Sequence, residues 1–156
     1  MDETLEGKAQ QDNGTPGMPI ENAFRLMADT APVMIWMSGT DQLCYYFNAG
    51  WLAFTGRTPE QEAGNGWTEG VHPLDLHRCL DIYLTAFAAQ QPFKMEYRLR
   101  HHSGAYRWIL DNGVPRYDAA GHFTGYIGSC IDVNDLVELE DRKDEFINAA
   151  SHELKT

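Results

Sequence analysis

Between residues 93 and 100 the chain alternates without a break. Phe93, Met95, Tyr97 and Leu99 are apolar, while Lys94, Glu96, Arg98 and Arg100 are charged. A period of two with one wet face predicts an antiparallel strand. Two more strands are predicted downstream, "YRWILDNGV" and "FTGYIGSCIDV", separated by the turn sequences "HHSGA" and "YDAAGH". Upstream, "VMIWM" and "LCYYF" flank the turn residues "SGTDQ" and predict a hairpin. The region between the hairpin and residue 93 changes to helical spacing. Asn48 can cap a short helix "AGWLAFTG" stopped by Gly56, and Thr58, Pro59 and Gly64 mark a second one. "HPLDLHRCLDIYLTAFAAQQP" then places Leu76, Leu80, Tyr83, Leu84 and Phe87 on one apolar stripe, with Pro92 as its end. Before the hairpin, Phe24, Met27 and Ala28 predict a helix that Pro32 terminates.

After Asp132 the period changes again. Leu136, Leu139, Lys143, Phe146 and Ala150 step by three and four among charged residues. This is a seam of coiled-coil type over about two and a half heptads, and it predicts that two copies pair. Asp132 or Asn134 can cap the helix. Lys143 in the seam weakens such a pair, or snorkels from its edge. The order helix, β-β, short helices, long helix, β-β-β, helix gives an α+β class. Its parts are a flexible polar leader over 1–19, one domain over 20–133 and a coiled-coil-type helix over 134–156.

Composition narrows the function classes. The 156 residues suffice for one domain, and 43% hydrophobic and 12% aromatic residues suit a globular core. A net charge of −11 opposes binding to nucleic acid or anionic lipid. The 3 cysteines, Cys44, Cys79 and Cys130, form no CxxC pair, so reduced thiols in a cytoplasmic protein are expected. "MDETLEGKAQ" is too acidic and polar for a secretory signal, and "APVMIWM" is too short to span a bilayer. A membrane tether elsewhere in a longer protein stays compatible with this sequence.

The stretches "FNAGWLAFTGRTPEQ", "WTEGVHPLD" and "EYRLRHHSGAYRWILDNGVPRYDAAGHFTGYIGSCIDV" resemble a PAS domain with its C-terminal PAC part, over residues 22 to 133. Asn48, Gly56, the His72-Pro73-x-Asp75 turn, Gly104 with Trp108, and the closing Asp132 carry the resemblance; Ser103 stands where the family often has Asp. It implies a five-stranded antiparallel sheet with helices across one face. The tail "DEFINAASHELKT" resembles the phosphoacceptor box of bacterial sensor histidine kinases through Phe146, Ser151, His152, Glu153, Leu154 and Thr156, with Lys155 in place of the commoner Arg. Together these imply the sensor half of an ATP-dependent protein-histidine kinase. Its parent would use ATP with magnesium in a further domain and pass phosphate to a response regulator. His152 would be the phosphoacceptor and Glu153 its acid–base support.

The resemblance also implies an interior pocket. Its candidate lining is Trp36, Tyr46, Trp51, Phe54, Leu80, Tyr83, Phe87, Tyr97, Trp108 and Ile127, which would suit a small apolar or aromatic ligand. Each of these residues could equally be plain core. Flavin adduct chemistry in this family needs a cysteine in an Asn-Cys-Arg-Phe-like stretch. The cysteines here stand in "LCYY", "HRCL" and "SCID", so no adduct is expected. A haem would need an axial imidazole; His77 is the candidate, and it reads rather as a helix-start histidine in water. His72 and Asp75 suggest acid–base chemistry, or more simply a proline-fixed turn with Asp75 capping the long helix. His101 and His102 should point to opposite faces of a strand end, His122 falls in a turn, and no metal site is assigned. Two other readings compete with the kinase: a PAS interaction module of a non-kinase signalling protein, and a small enzyme built on His72, Asp75 and His77.

Overall fold

The computed structural model describes residues 20–30 and 33–155; the leader over 1–19, the Pro32 stop and Thr156 lie outside the described residues. Helix α1 (Ile20–Thr30) precedes β1 (Met34–Ser38) and β2 (Cys44–Phe47). Helices α2 (Ala49–Thr55) and α3 (Pro59–Glu62), a 3₁₀ turn (Gly66–Gly70) and α4 (Pro73–Ala89) follow. Strands β3 (Phe93–Arg100), β4 (Tyr106–Tyr117) and β5 (Phe123–Asp132) lead into α5 (Asn134–Lys155). The strands form one antiparallel sheet in the order β2-β1-β5-β4-β3, so the hairpin docks beside the last strand. Helices α2 to α4 cover one face of this sheet and enclose the core, as the resemblance implies.

Local chemistry sets the element ends. Asn48 is fully buried and caps α2: its Oδ1 accepts from the amides of Trp51 and Ile35, while its Nδ2 donates to the carbonyls of Ala28 and Val33. One side chain thus ties α1, β1 and α2 together. Thr58 and Gln61 form a reciprocal capping box at α3, with Pro59 behind it. Gly56 ends α2 in the left-handed conformation (φ 67°). Helix α4 is capped by His72, whose Nδ1 accepts from the Leu74 amide, and not by Asp75. Asp75 lies one turn further in and turns toward β3, where its carboxylate accepts from the Arg98 amide and guanidinium at 2.8–2.9 Å.

That contact rotates the buried stripe of α4. Asp75, Cys79, Tyr83 and Phe87 are buried, whereas Leu84 is 42% exposed and Leu76 and Leu80 sit at the flanks. In α1 only Ala28 of the three predicted apolar positions is buried; Phe24 and Met27 are exposed.

Glycines open the middle of the inner face. Across the sheet, Trp36 pairs with Gly128, Gly128 with Gly113, and Gly113 with Phe93. The rings of Trp36 and Phe93 stack over this floor, 6.1 Å apart at 20°. A Cβ at Gly128 would stand 2.0 Å from the indole of Trp36.

Candidate functional site

The inner face alternates in phase along each strand, and that phase decides what reaches the core. Met34, Trp36 and Ser38 point inward from β1, and Phe93, Met95, Tyr97 and Leu99 from β3. From β4 the inward residues include Ile109, Asp111 and Gly113, and from β5 Tyr126, Gly128 and Cys130. They meet α2 and α4 around a cavity of about 20 Å³, lined by Trp36, Cys44, Phe47, Trp51, Trp67, Tyr83, Phe93, Met95, Tyr97 and Asp111. This volume suits one water-sized species. A flavin or porphyrin needs a site of several hundred Å³, and would enter only if the side chains parted.

Asp111 is the polar centre of this apolar box. It is 2% exposed. Its oxygens accept from Trp36 Nε1 at 3.0 and 3.2 Å and from the Tyr97 hydroxyl at 2.9 Å. Burial lifts its carboxyl to about 6, against the opposing pull of those donors. The Tyr97 hydroxyl also lies 4.0 Å from Cys130 Sγ. Burial pushes the Cys44 and Cys79 thiols up to about 12 and raises Cys130 as well, so all three stay protonated and unreactive near neutrality.

A second buried carboxylate stands at the far wall. Glu62 is 1% exposed and accepts from Trp51 Nε1 at 2.7 Å and from Arg57 Nε. Arg57 reaches on to Glu69 at 2.9 Å. This carboxylate therefore has its own cation, whereas Asp111 has none among the described residues.

Of the predicted pocket residues, Trp36, Trp51, Tyr83 and Tyr97 line the cavity. Phe87 is buried beyond it, stacked on Tyr126 at 5.3 Å, and Leu80 is half-buried beside a surface cleft. Four predicted residues lie elsewhere. A bulge in β2 separates Cys44 from Tyr46, so Phe47 turns inward while Tyr46 faces α1 and lies 6.3 Å from the Phe24 ring. Trp108 and Ile127 occupy the outward phase of their strands; Arg98 covers the Trp108 ring at 5.1 Å. Phe54 borders a shallow cleft with Val33, Met34 and Ile131, and packs edge-on against His101. Cys44, Phe47, Trp67, Phe93, Met95 and Asp111 complete the box. The signal for Asp111 was its spacing of two from Ile109 and Gly113, which puts it in phase with the core.

The histidines are placed apart from this cavity. His77 is exposed and contributes nothing to the lining. His101 and His102 do not point to opposite faces: they fall in the turn after β3, with ring centroids 3.9 Å apart. Among the described residues no three His, Cys, Asp or Glu groups converge as a metal site. No helix among them is long and apolar enough to cross a membrane.

The exit from the sheet is pinned. Asp132, at the end of β5, accepts from Arg107 Nε at 2.6 Å and from the Asn134 amide at 2.9 Å, which caps the start of α5. Asn134 Oδ1 accepts from the Trp108 amide at 3.1 Å, and the Val133 amide donates to the Trp108 carbonyl. Beyond this clamp α5 leaves the domain. The seam residues Leu136, Leu139, Lys143 and Phe146 are exposed, Phe146 by 74%, as are Ser151, His152 and Glu153.

The chain is similar to known proteins. The chain is 39% identical over 123 residues to the uncharacterized protein y4lL of Sinorhizobium fredii, covering 79% of this chain and 15% of that protein. It is 27% identical over 162 residues to the peroxide stress-activated histidine kinase mak3 of Schizosaccharomyces pombe, covering 98% of this chain and 7% of that protein. The chain thus spans only a small part of the length of either relative. The crystal structure of the PAS domain of a protein from Colwellia psychrerythraea superposes with a TM-score of 0.62 at 21% identity, covering 75% of this chain and 99% of that one. Residues 45–130, more than half of the 156, match the family model described as PAS fold, and the chain belongs to that family.

Proposed function

We propose that the chain is the sensing and dimerisation portion of a two-component sensor histidine kinase. In this reading the state of the domain over 20–133 passes along paired α5 helices to the phosphoacceptor His152. The observation that carries it is the reach of the similarity to mak3. A match covering 98% of the chain runs past the domain, through α5, to the tail. Two features agree with it. An apolar seam left exposed on a charged helix wants a partner, and a second copy of the same helix supplies the same seam. His152 falls two residues past the seam position Ala150, on the outside of such a pair, where a nucleotide can approach.

The chemistry needs a solvent-facing imidazole. A ring nitrogen of neutral His152 attacks the γ-phosphorus of ATP held by a further domain. A P–N bond forms as the bond to the ADP oxygen breaks, and magnesium on the phosphates offsets the charge. The other ring nitrogen then carries a proton and a positive charge, which the carboxylate of Glu153 stabilises and accepts as the imidazole returns to neutrality. A response regulator receives the phosphoryl group in the next step.

The test is His152→Ala in a protein that joins this chain to its ATP-binding domain. The substitution should leave the melting curve of the domain unchanged, because His152 is exposed. Incorporation of radiolabelled phosphate from ATP should vanish. Labelling at the normal rate would refute the assignment.

A further inference from the structure

The cavity at Asp111 has an unbalanced charge. Its carboxylate is buried, takes donors from Trp36, Tyr97 and the Cys130 thiol, and has no Lys, Arg or His partner among the described residues. A carboxylate offers about four lone-pair directions, so room for a further donor remains on its oxygens. A buried anion without a cation is a costly arrangement. The contrast with Glu62 is direct, since that second buried carboxylate has Arg57.

The space beside Asp111 is about 20 Å³ and its walls are largely aromatic, including Trp36, Trp51, Trp67 and Tyr97. Ring faces attract a cation lying within about 6 Å of their centroids. The outside supports the same preference. A surface cleft of about 350 Å³ shares Trp67 and Tyr83 with the cavity and carries Asp41 in its lining. The chain as a whole bears −11, which raises the local concentration of cations.

We propose that this cavity binds a small ammonium-type monocation, of ammonium to methylammonium size, whose N–H groups donate to Asp111 while its charge rests against the aromatic wall. The volume as it stands suits a small species better than a flat cofactor, and the carboxylate repels anions. Potassium has a similar size but gains most from several oxygens at once. Here the side-chain oxygens of the lining residues are those of Asp111 and of two tyrosine hydroxyls. Trp67 and Tyr83, shared by cavity and cleft, form the entry. The proposal deepens the sensory reading by naming a ligand class and rests on it for its biological meaning. Binding itself involves neither α5 nor His152.

The experiment titrates the full 156-residue chain with ammonium chloride, methylammonium chloride and potassium chloride at constant ionic strength. Tryptophan fluorescence and the backbone amide resonances of Asp111 and Cys130 report binding. A saturable response to ammonium and methylammonium, with none to potassium at equal concentration, is the expected result. Asp111→Asn keeps the shape and removes the charge, and should weaken binding by about tenfold or more. The wild-type comparison with potassium stands even if that variant does not fold. No saturable response, an equal response to potassium, or unchanged binding by folded Asp111→Asn would each overturn the proposal. Such a failure leaves the phosphorylation test of His152 unaffected, because that test reads a different group on a different helix.

Discussion

Asp111 makes the stability of this domain depend on pH in a direction opposite to most carboxylates. Its carboxyl is lifted from the ordinary 3.8 to about 6 by burial. The folded state therefore holds a proton that the unfolded chain releases. A raised folded pKa gives stability that is complete below the unfolded value and lost as pH rises through the folded one. The full loss above pH 7 is about 3 kcal/mol, from roughly two pK steps at 1.36 kcal/mol each. Between about pH 7.5 and pH 5 the wild-type protein should recover roughly half of this. Nothing else in contact titrates in that window. Asp111 is faced by Trp36 from β1, Tyr97 from β3 and Cys130 from β5, and burial raises both the Tyr97 and Cys130 values. Asn at this position cannot ionise. Denaturant unfolding of wild type and Asp111→Asn at the two pH values should show a stability difference that moves by about 1 to 2 kcal/mol in favour of the wild type at the lower pH. Histidines and surface carboxylates titrate equally in both proteins and cancel. The packing cost of the amide also cancels, because it is the same at both pH values. A difference that stays constant across the window would refute the reasoning.

Two further outcomes follow from the edges of the domain. Arg98→Ala strips the buried Asp75 carboxylate of the guanidinium that holds its pKa at about 2, and should cost about 2 kcal/mol at neutral pH by urea unfolding. Because a depressed folded pKa gives stability above the unfolded value, the wild type should lose that increment as pH falls from about 4 toward 2, while the variant should not. Asp132→Ala removes the acceptor for Arg107 Nε and the Asn134 amide; amide hydrogen exchange in the first turns of α5 should quicken by about tenfold, with exchange in β3 unchanged. Unchanged protection at 134–138 would show that the clamp does not hold the helix start.

The sheet was legible because its strands are long and strictly patterned. Phe93 to Arg100 states its own phase, and the turn residues between strands are distinctive. Capping was legible where the chemistry is local, as at Asn48 and Thr58. What escaped was phase and partnership. Tyr46 was misplaced because a bulge shifts the alternation within β2, and a bulge leaves no mark in a four-residue strand. Trp108 and Ile127 have the bulk of core residues, yet Ile109, Asp111 and Tyr126 hold the inward phase. Asp75 looked like a cap because it follows a proline, and only the arrival of β3 from 23 residues away gives it Arg98. Asp111 carried no local sign of function. An aspartate in a strand becomes a site only once Trp36 and Tyr97 converge on it.

The placement of that site bears on how a small domain could move a long helix. Asp111 sits directly across the ladder from Cys130, and Ile109 sits across from Asp132. One dipeptide step on each strand therefore separates the cavity from the clamp that starts α5. The two strands run antiparallel and pair continuously from Ile109–Asp132 to Arg116–Gly125, and such a ladder resists stretching but can change twist. A charge gained, lost or neutralised at Asp111 alters what Trp36 on β1 and Tyr97 on β3 bond to, and these strands flank β5 and β4 in the sheet. Any resulting change in twist arrives at Asp132 with no flexible loop between to absorb it. The helix beyond then acts as a lever about 33 Å long, from its 22 residues at 1.5 Å each. A rotation of a few degrees at the clamp becomes a displacement of one to two ångströms, in rough terms, near His152. In the proposed reading of His152 as phosphoacceptor, that is the scale on which an in-line attack gains or loses its alignment.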